Sequence, residues 1–210
     1  MEKAYKNLGY ILLLLIPLTL VGFFKTYFNQ FPTFKETDNT FIHFHTFIAS
    51  VWILMLIIQP ILIREKKKNW HKRIGKMSYI AFPLLILSFI PQMLKLANAE
   101  NPVFLFYPLS DAITLSIFYV LAIYFRKNVS KHMRFMIGTA LVFLSPTLGR
   151  IGPKLLGLPD VLSQNIIYGI IILMLVGLIF LDKKNGKRFQ PYLVILGVWL
   201  IHLTVFNLLF

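Results

Sequence analysis

The chain carries five histidines, His43, His45, His71, His132 and His202, and no cysteine. Imidazole nitrogens suit iron and copper, while thiolate metal sites, iron–sulfur clusters and disulfides are excluded. His43 and His45 are two residues apart, so they leave a regular helix on different faces, and an H-x-H pair serves a metal only in extended chain. His71 lies in the run Trp70-His71-Lys72-Arg73-Ile74-Gly75-Lys76, and His132 in Lys131-His132-Met133-Arg134. Each run sits between two apolar stretches, which places the two imidazoles at similar depth on one membrane face. The expected chemistry is a histidine-held haem or transition metal. His71 and His132 would be the inner ligands, His45 and His202 the outer ones, and His43 a further candidate metal ligand. The plain alternative is that Trp70, the two inner histidines and their cations are interfacial anchors facing lipid phosphates.

Polar side chains inside apolar stretches form the second candidate set, because a lone charge in hydrocarbon is expensive and is usually paired or functional. At 1.5 Å per residue, Asp111, Arg150, Gln92, Asn165, His45 and His202 all fall about 21–28 Å above the basic ends of their helices. This predicts one polar layer near the outer surface, with Asp111 and Arg150 paired as carboxylate and guanidinium. His45, Trp52 and Gln59 recur every seven residues and share a helix face, as do His132, Thr139, Pro146 and Arg150. Both stripes should face the interior, since lipid rejects them.

The elements that must position these groups follow from hydropathy. Of 210 residues, 57% are hydrophobic and 14% charged, and the mean hydropathy is +0.70. A soluble domain of this size cannot hide that much apolar surface. Apolar runs long enough to cross hydrocarbon fall at about 8–24, 41–63, 77–96, 102–125, 135–158, 161–181 and 189–210. The first ends in Phe23-Phe24 before Lys25 rather than in small residues, so it reads as a membrane helix and not a cleaved signal. The expected fold is an all-α, polytopic membrane helix bundle of about seven helices in one transmembrane domain, 1–210.

The net charge of +14 does not point to nucleic acid, because the cations cluster between apolar runs. Lys3 and Lys6, the seven cations from Arg64 to Lys76, then Arg126, Lys127, Lys131 and Arg134, and finally Lys183, Lys184, Lys187 and Arg188 all fall on one side. The opposite side has Lys25, Lys35, Lys95, Arg150 and Lys154, offset by Glu36, Asp38, Glu100, Asp111 and Asp160. By the positive-inside rule the N-terminus is cytoplasmic and the C-terminus outside, in the cell (inner) membrane. The basic loops should attract anionic lipid.

An outer histidine, a tryptophan and Gln59, then His71-Lys72-Arg73-Ile74-Gly75, and later His132, Met136 and Arg150 resemble a family of bacterial predicted multi-pass membrane proteins of unknown function. That family carries an H-[RK]-x-x-G turn and a later His/Met/Arg helix. The resemblance covers residues 41–151 and brings no established activity. The placement of histidines near both faces is also similar, in architecture only, to transmembrane b-type cytochromes. Two functions are expected on these grounds: a redox protein binding haem or metal through histidine, or a small transporter or ligand-binding protein using the outer polar layer. For the second, Pro60, Pro83, Pro91, Pro108 and Pro146 would bend helices and open a cavity. No G-x-S-x-G or H-E-x-x-H motif marks a hydrolase, so enzymatic activity stays undecided.

Overall fold

A computed structural model describes residues 2–34 and 40–210. Lys35, Glu36 and Asp38, counted above among the outer charges, lie outside the described residues. The protein is all-α and 81% helical, and among the described residues seven helical stretches are long and apolar enough to cross a membrane. They run Lys3–Gly22, Thr40–Arg64, Lys68–Ala97, Pro102–Tyr124, Val129–Leu155, Asp160–Lys184 and Gln190–Leu209. The helices turn bulky apolar side chains outward: Ile80, Leu173 and Leu208 are 69%, 73% and 80% exposed. Hydrocarbon is the solvent for such faces, which makes this the architecture of a multi-pass membrane protein.

Several stretches are broken where proline removes a backbone bond and crowds the carbonyl four residues back. The first stretch splits into α1 (Leu8–Leu12) and α2 (Leu15–Gly22), with Pro17 following the break. The third splits into α4 (Lys68–Leu87) and α5 (Ile90–Ala97), with Pro91 in the first turn of α5. The fifth splits into α7 (Val129–Val142) and α8 (Leu144–Leu155), with Pro146 just inside α8. By contrast α3 (Thr40–Arg64) runs through Pro60, and α4 runs through Pro83. The remaining long helices are α6 (Phe106–Tyr124), α9 (Asp160–Lys184) and α10 (Gln190–Leu209).

Two helices begin well before the apolar runs they contain. Hydropathy locates α4 from residue 77 and α7 from residue 135, yet the helices start at Lys68 and Val129. Hydropathy marks hydrocarbon thickness, whereas a helix continues into the interface wherever its residues favour it and its end is capped. The Asn128 side chain accepts from Lys131 N at 3.1 Å and caps α7. His71 and His132 are therefore both the fourth residue of a helix. His71, expected by hydropathy between two membrane helices, thus lies inside one of them.

Two helices close with the same C-terminal motif. After α9, Lys187 N bonds Asp182 O at 2.8 Å and Gly186 N bonds Lys183 O at 3.1 Å, with Gly186 at φ 61°. After α3, Lys67 N bonds Leu62 O at 2.8 Å and Lys66 N bonds Ile63 O at 3.2 Å, with Lys66 at φ 60°. Glycine normally takes this left-handed position, and a residue with a Cβ costs about 1 kcal/mol there.

The packing divides into two compact units, Met1–Pro108 and Leu109–Phe210. In the first, α3 packs on α4 and α1 on α3. Trp52 stacks at a tilt on Phe82 with centroids 5.2 Å apart, in a core with Leu56 and Leu85. Gly9 lets α1 close onto α3, since a Cβ there would lie 3.0 Å from Ile57 O and clash with Ile61 Cγ1. In the second unit α7, α8, α9 and α10 pack in sequence around Ile171, Leu175, Tyr192, Ile195 and Phe206, all fully buried.

Candidate functional site

The strongest polar interaction in the second unit is one the sequence reading did not pair. Arg134 Nε and Nη2 donate to Asp182 Oδ2 and Oδ1 at 2.6 and 2.7 Å, and both side chains are 0% exposed. Arg134 Nη1 also donates to the Ser130 carbonyl at 3.0 Å, and the guanidinium lies 5.8 Å from the Tyr192 ring centroid. This fork-to-fork contact joins the first turns of α7 to the last turn of α9. Arg134 counts by sequence among the cytoplasmic topology charges and Asp182 follows the apolar run 161–181; in the structure they neutralise each other in the interior.

His132, two residues before Arg134, directs its Nδ1 at the Ala122 carbonyl of α6, 2.8 Å away. A carbonyl cannot donate, so Nδ1 carries the proton and the neutral ring's lone pair sits on Nε2. His71 repeats the arrangement in the first unit: its Nδ1 lies 3.3 Å from the Gln59 carbonyl of α3. His45 Nδ1 lies 2.8 Å from Ser88 Oγ, and the Ser88 hydroxyl donates to the Leu85 carbonyl. With its one proton committed there, the Ser88 oxygen accepts from His45, which fixes the same tautomer a third time. His43 turns away to Tyr27, whose hydroxyl is 2.8 Å from Nδ1, and packs against the Phe34 ring with centroids 4.8 Å apart. The divergence of His43 and His45 follows from their spacing on one helix. The expected inner pair is divided, with His71 in the first unit and His132 in the second; the expected outer pair is divided likewise, His45 from His202.

His202 is buried in the second unit, its Nδ1 2.8 Å from the Tyr168 hydroxyl. Trp199 and Phe206 close an aromatic cluster around Tyr168, with centroids 6.3 and 5.5 Å away. Gln164, one turn before Tyr168, is buried and donates to Ser145 Oγ at 3.4 Å. Neither Tyr168 nor Gln164 was a sequence candidate; their distance from charged runs gave no signal.

Of the expected polar layer, the second unit holds Asp111, Arg150 and Asn165. Asp111, on α6, is 7% exposed, and among the described residues no hydrogen bond reaches its Oδ1. Arg150, on α8, is near enough for its charge to act on Asp111, and its Nη1 donates to the Pro146 carbonyl at 2.7 Å. Asn165 exchanges amide hydrogen bonds with Asn207 at 3.1 and 3.0 Å, which joins α9 to α10. In the first unit Gln92 is exposed on α5. Gln59 keeps both side-chain polar atoms buried, without a hydrogen bond among the described residues. A Cβ at Gly75 would stand 3.8 Å from Gln59 Nε2, which makes this glycine part of the same niche.

Among the described residues no group of three or more His, Asp or Glu side chains gathers as a ready metal cage. Comparison with protein families, curated proteins and solved structures gives no match for the chain.

Proposed function

We propose that this is a multi-pass protein of the cell (inner) membrane, N-terminus cytoplasmic and C-terminus outside, that binds haem or a transition metal through histidine and passes electrons. The observation that carries the reading is the shared tautomer of His71 and His132. Each ties Nδ1–H to a backbone carbonyl of the preceding helix, at 3.3 and 2.8 Å. That second-shell bond orients the ring and presents Nε2 as a ligand, which is how metal-bound imidazoles are held. His45, with the Ser88 oxygen behind it, belongs to the same set, and His202 completes the outer histidines. Imidazole donors in a chain without thiolates suit haem iron, which brings most of its own ligands. Such a group would supply one-electron chemistry; the chain's part is to hold the imidazoles, fix their protonation and exclude water. The motif resemblance to bacterial membrane proteins of unknown function supports a common architecture and no particular reaction. The bilayer, with anionic lipids at the basic turns, is the proposed partner, and nucleic acid is not.

An absorption spectrum and metal analysis of the detergent-purified chain, oxidised and then dithionite-reduced, test the reading. A Soret band that shifts on reduction, or stoichiometric iron or copper, is the expected result, with His132→Ala and His71→Ala each losing it. A colourless, metal-free protein from haem- and metal-replete cells refutes it.

One observation favours a second reading, a small transporter or ligand-binding protein. Asp111 is a buried carboxyl in a membrane-crossing helix, near Arg150, with an oxygen that no hydrogen bond reaches among the described residues, and such groups mark ion and proton pathways. Asp111→Asn should then abolish uptake or ligand binding while leaving any haem or metal content intact; retention of uptake by that variant removes this reading.

A further inference from the structure

The turn between α3 and α4 is a shaped cationic surface. Lys66, Lys67, Lys68, Asn69, Trp70 and Arg73 line a shallow cavity of about 340 Å³, and no acidic side chain is among them. The nearest acid in sequence, Glu65, lies 4.0 Å from Arg64. Trp70 is 56% exposed, and the Arg73 guanidinium sits over its ring at 5.6 Å from the centroid. An exposed indole beside several cations is the composition of a membrane interface, where the ring lies at headgroup level. The turn joins two helices that cross the membrane, so the cavity opens at that level. Lys66 adds a third observation: it occupies the left-handed position that Gly186 takes in the matching motif after α9. A lysine held there puts a cation at the rim against the backbone's preference.

We propose that this cavity holds the phosphate headgroup of an anionic phospholipid, with Lys66, Lys67, Lys68 and Arg73 as its charge partners and Trp70 as its wall. The proposal sharpens the general affinity of basic turns for anionic lipid into one saturable site. It rests on the helices crossing a membrane and is independent of any bound metal.

The test is native mass spectrometry of the full chain in detergent, titrated with phosphatidylglycerol or phosphatidylcholine. One phosphatidylglycerol should be retained in preference to phosphatidylcholine. Lys66→Gly should weaken it about fivefold and Lys66→Gly/Arg73→Gln about 25-fold, following the usual contribution of one cation near a lipid surface. Lys66→Gly suits the backbone, so its unfolding midpoint should equal or exceed that of the parent, and lost lipid cannot then be lost fold. Lys183→Gln/Lys184→Gln, in another basic turn, should leave retention unchanged. Equal binding of the two lipids, or equal loss in the Lys183/Lys184 variant, overturns the site in favour of diffuse charge. Displacement of the lipid by millimolar inorganic phosphate overturns the lipid assignment in favour of a soluble anion.

Discussion

Removing the Asp182 charge should be among the most damaging single changes in the second unit. Asp182→Asn keeps the size of the side chain but leaves the Arg134 guanidinium, 0% exposed, without its counter-ion. One of the two contacts at 2.6 and 2.7 Å would be lost, because the new amide nitrogen donates and cannot accept from the guanidinium, and the other would lose its charge assistance, while the 3.0 Å bond to the Ser130 carbonyl remains. Breaking a buried pair from one side costs about 3–5 kcal/mol, because a charge stays buried unpaired. Replacing both members by apolar residues is often close to neutral. Arg134→Met/Asp182→Leu should therefore be more stable than Asp182→Asn or Arg134→Met alone. Equilibrium unfolding in mixed micelles, followed by tryptophan fluorescence, measures the parent, Arg134→Met, Asp182→Leu and the double variant as one cycle, with Asp182→Asn beside them. A loss under about 1 kcal/mol for Asp182→Asn, or a double variant that loses the sum of the singles, would refute the buried-pair account.

Two further outcomes follow from the packing and the charge pattern. The chain has no cysteine, so single cysteines at Lys187 and Asn101 report topology directly. Lys187→Cys should react with an impermeant maleimide only after the cells are opened, and Asn101→Cys in intact cells; the reverse pattern would invert the proposed orientation. Gly9→Ala should destabilise the first unit by about 1–3 kcal/mol, as overpacking does, because the new Cβ meets the Ile57 carbonyl at 3.0 Å and Ile61. Gly138→Ala should cost less, its nearest neighbour being the far end of a side chain, Ile195 Cδ1 at 2.9 Å, rather than backbone; equal unfolding midpoints for the two variants would contradict this.

The sequence by itself determined the number and order of the membrane-crossing helices, because crossing hydrocarbon is a local requirement summed over about 20 residues. Of the five prolines it named as bends, Pro91 and Pro146 fall at helix breaks, whereas α3 and α4 run through Pro60 and Pro83 and the break near Pro17 was not foreseen. It could not place the helix starts at Lys68 and Val129, because the interface accepts both helix and loop and hydropathy does not separate them. His71 consequently read as lying between helices, and spacing alone did not disclose what it shares with His132. Their likeness lies in a hydrogen bond to the preceding helix. Tertiary structure alone decided which charges meet. Arg134 and Asp182 are 48 residues apart; by sequence the first is a topology charge and the second stands just past an apolar run. Asp111 and Arg150 looked like the natural pair by depth, and Arg150 does lie near Asp111, with Asp111 Oδ1 reached by no hydrogen bond among the described residues. Depth fixes one coordinate of a side chain; pairing needs the rotation of each helix and its neighbours as well, and those come from how α6 to α10 pack.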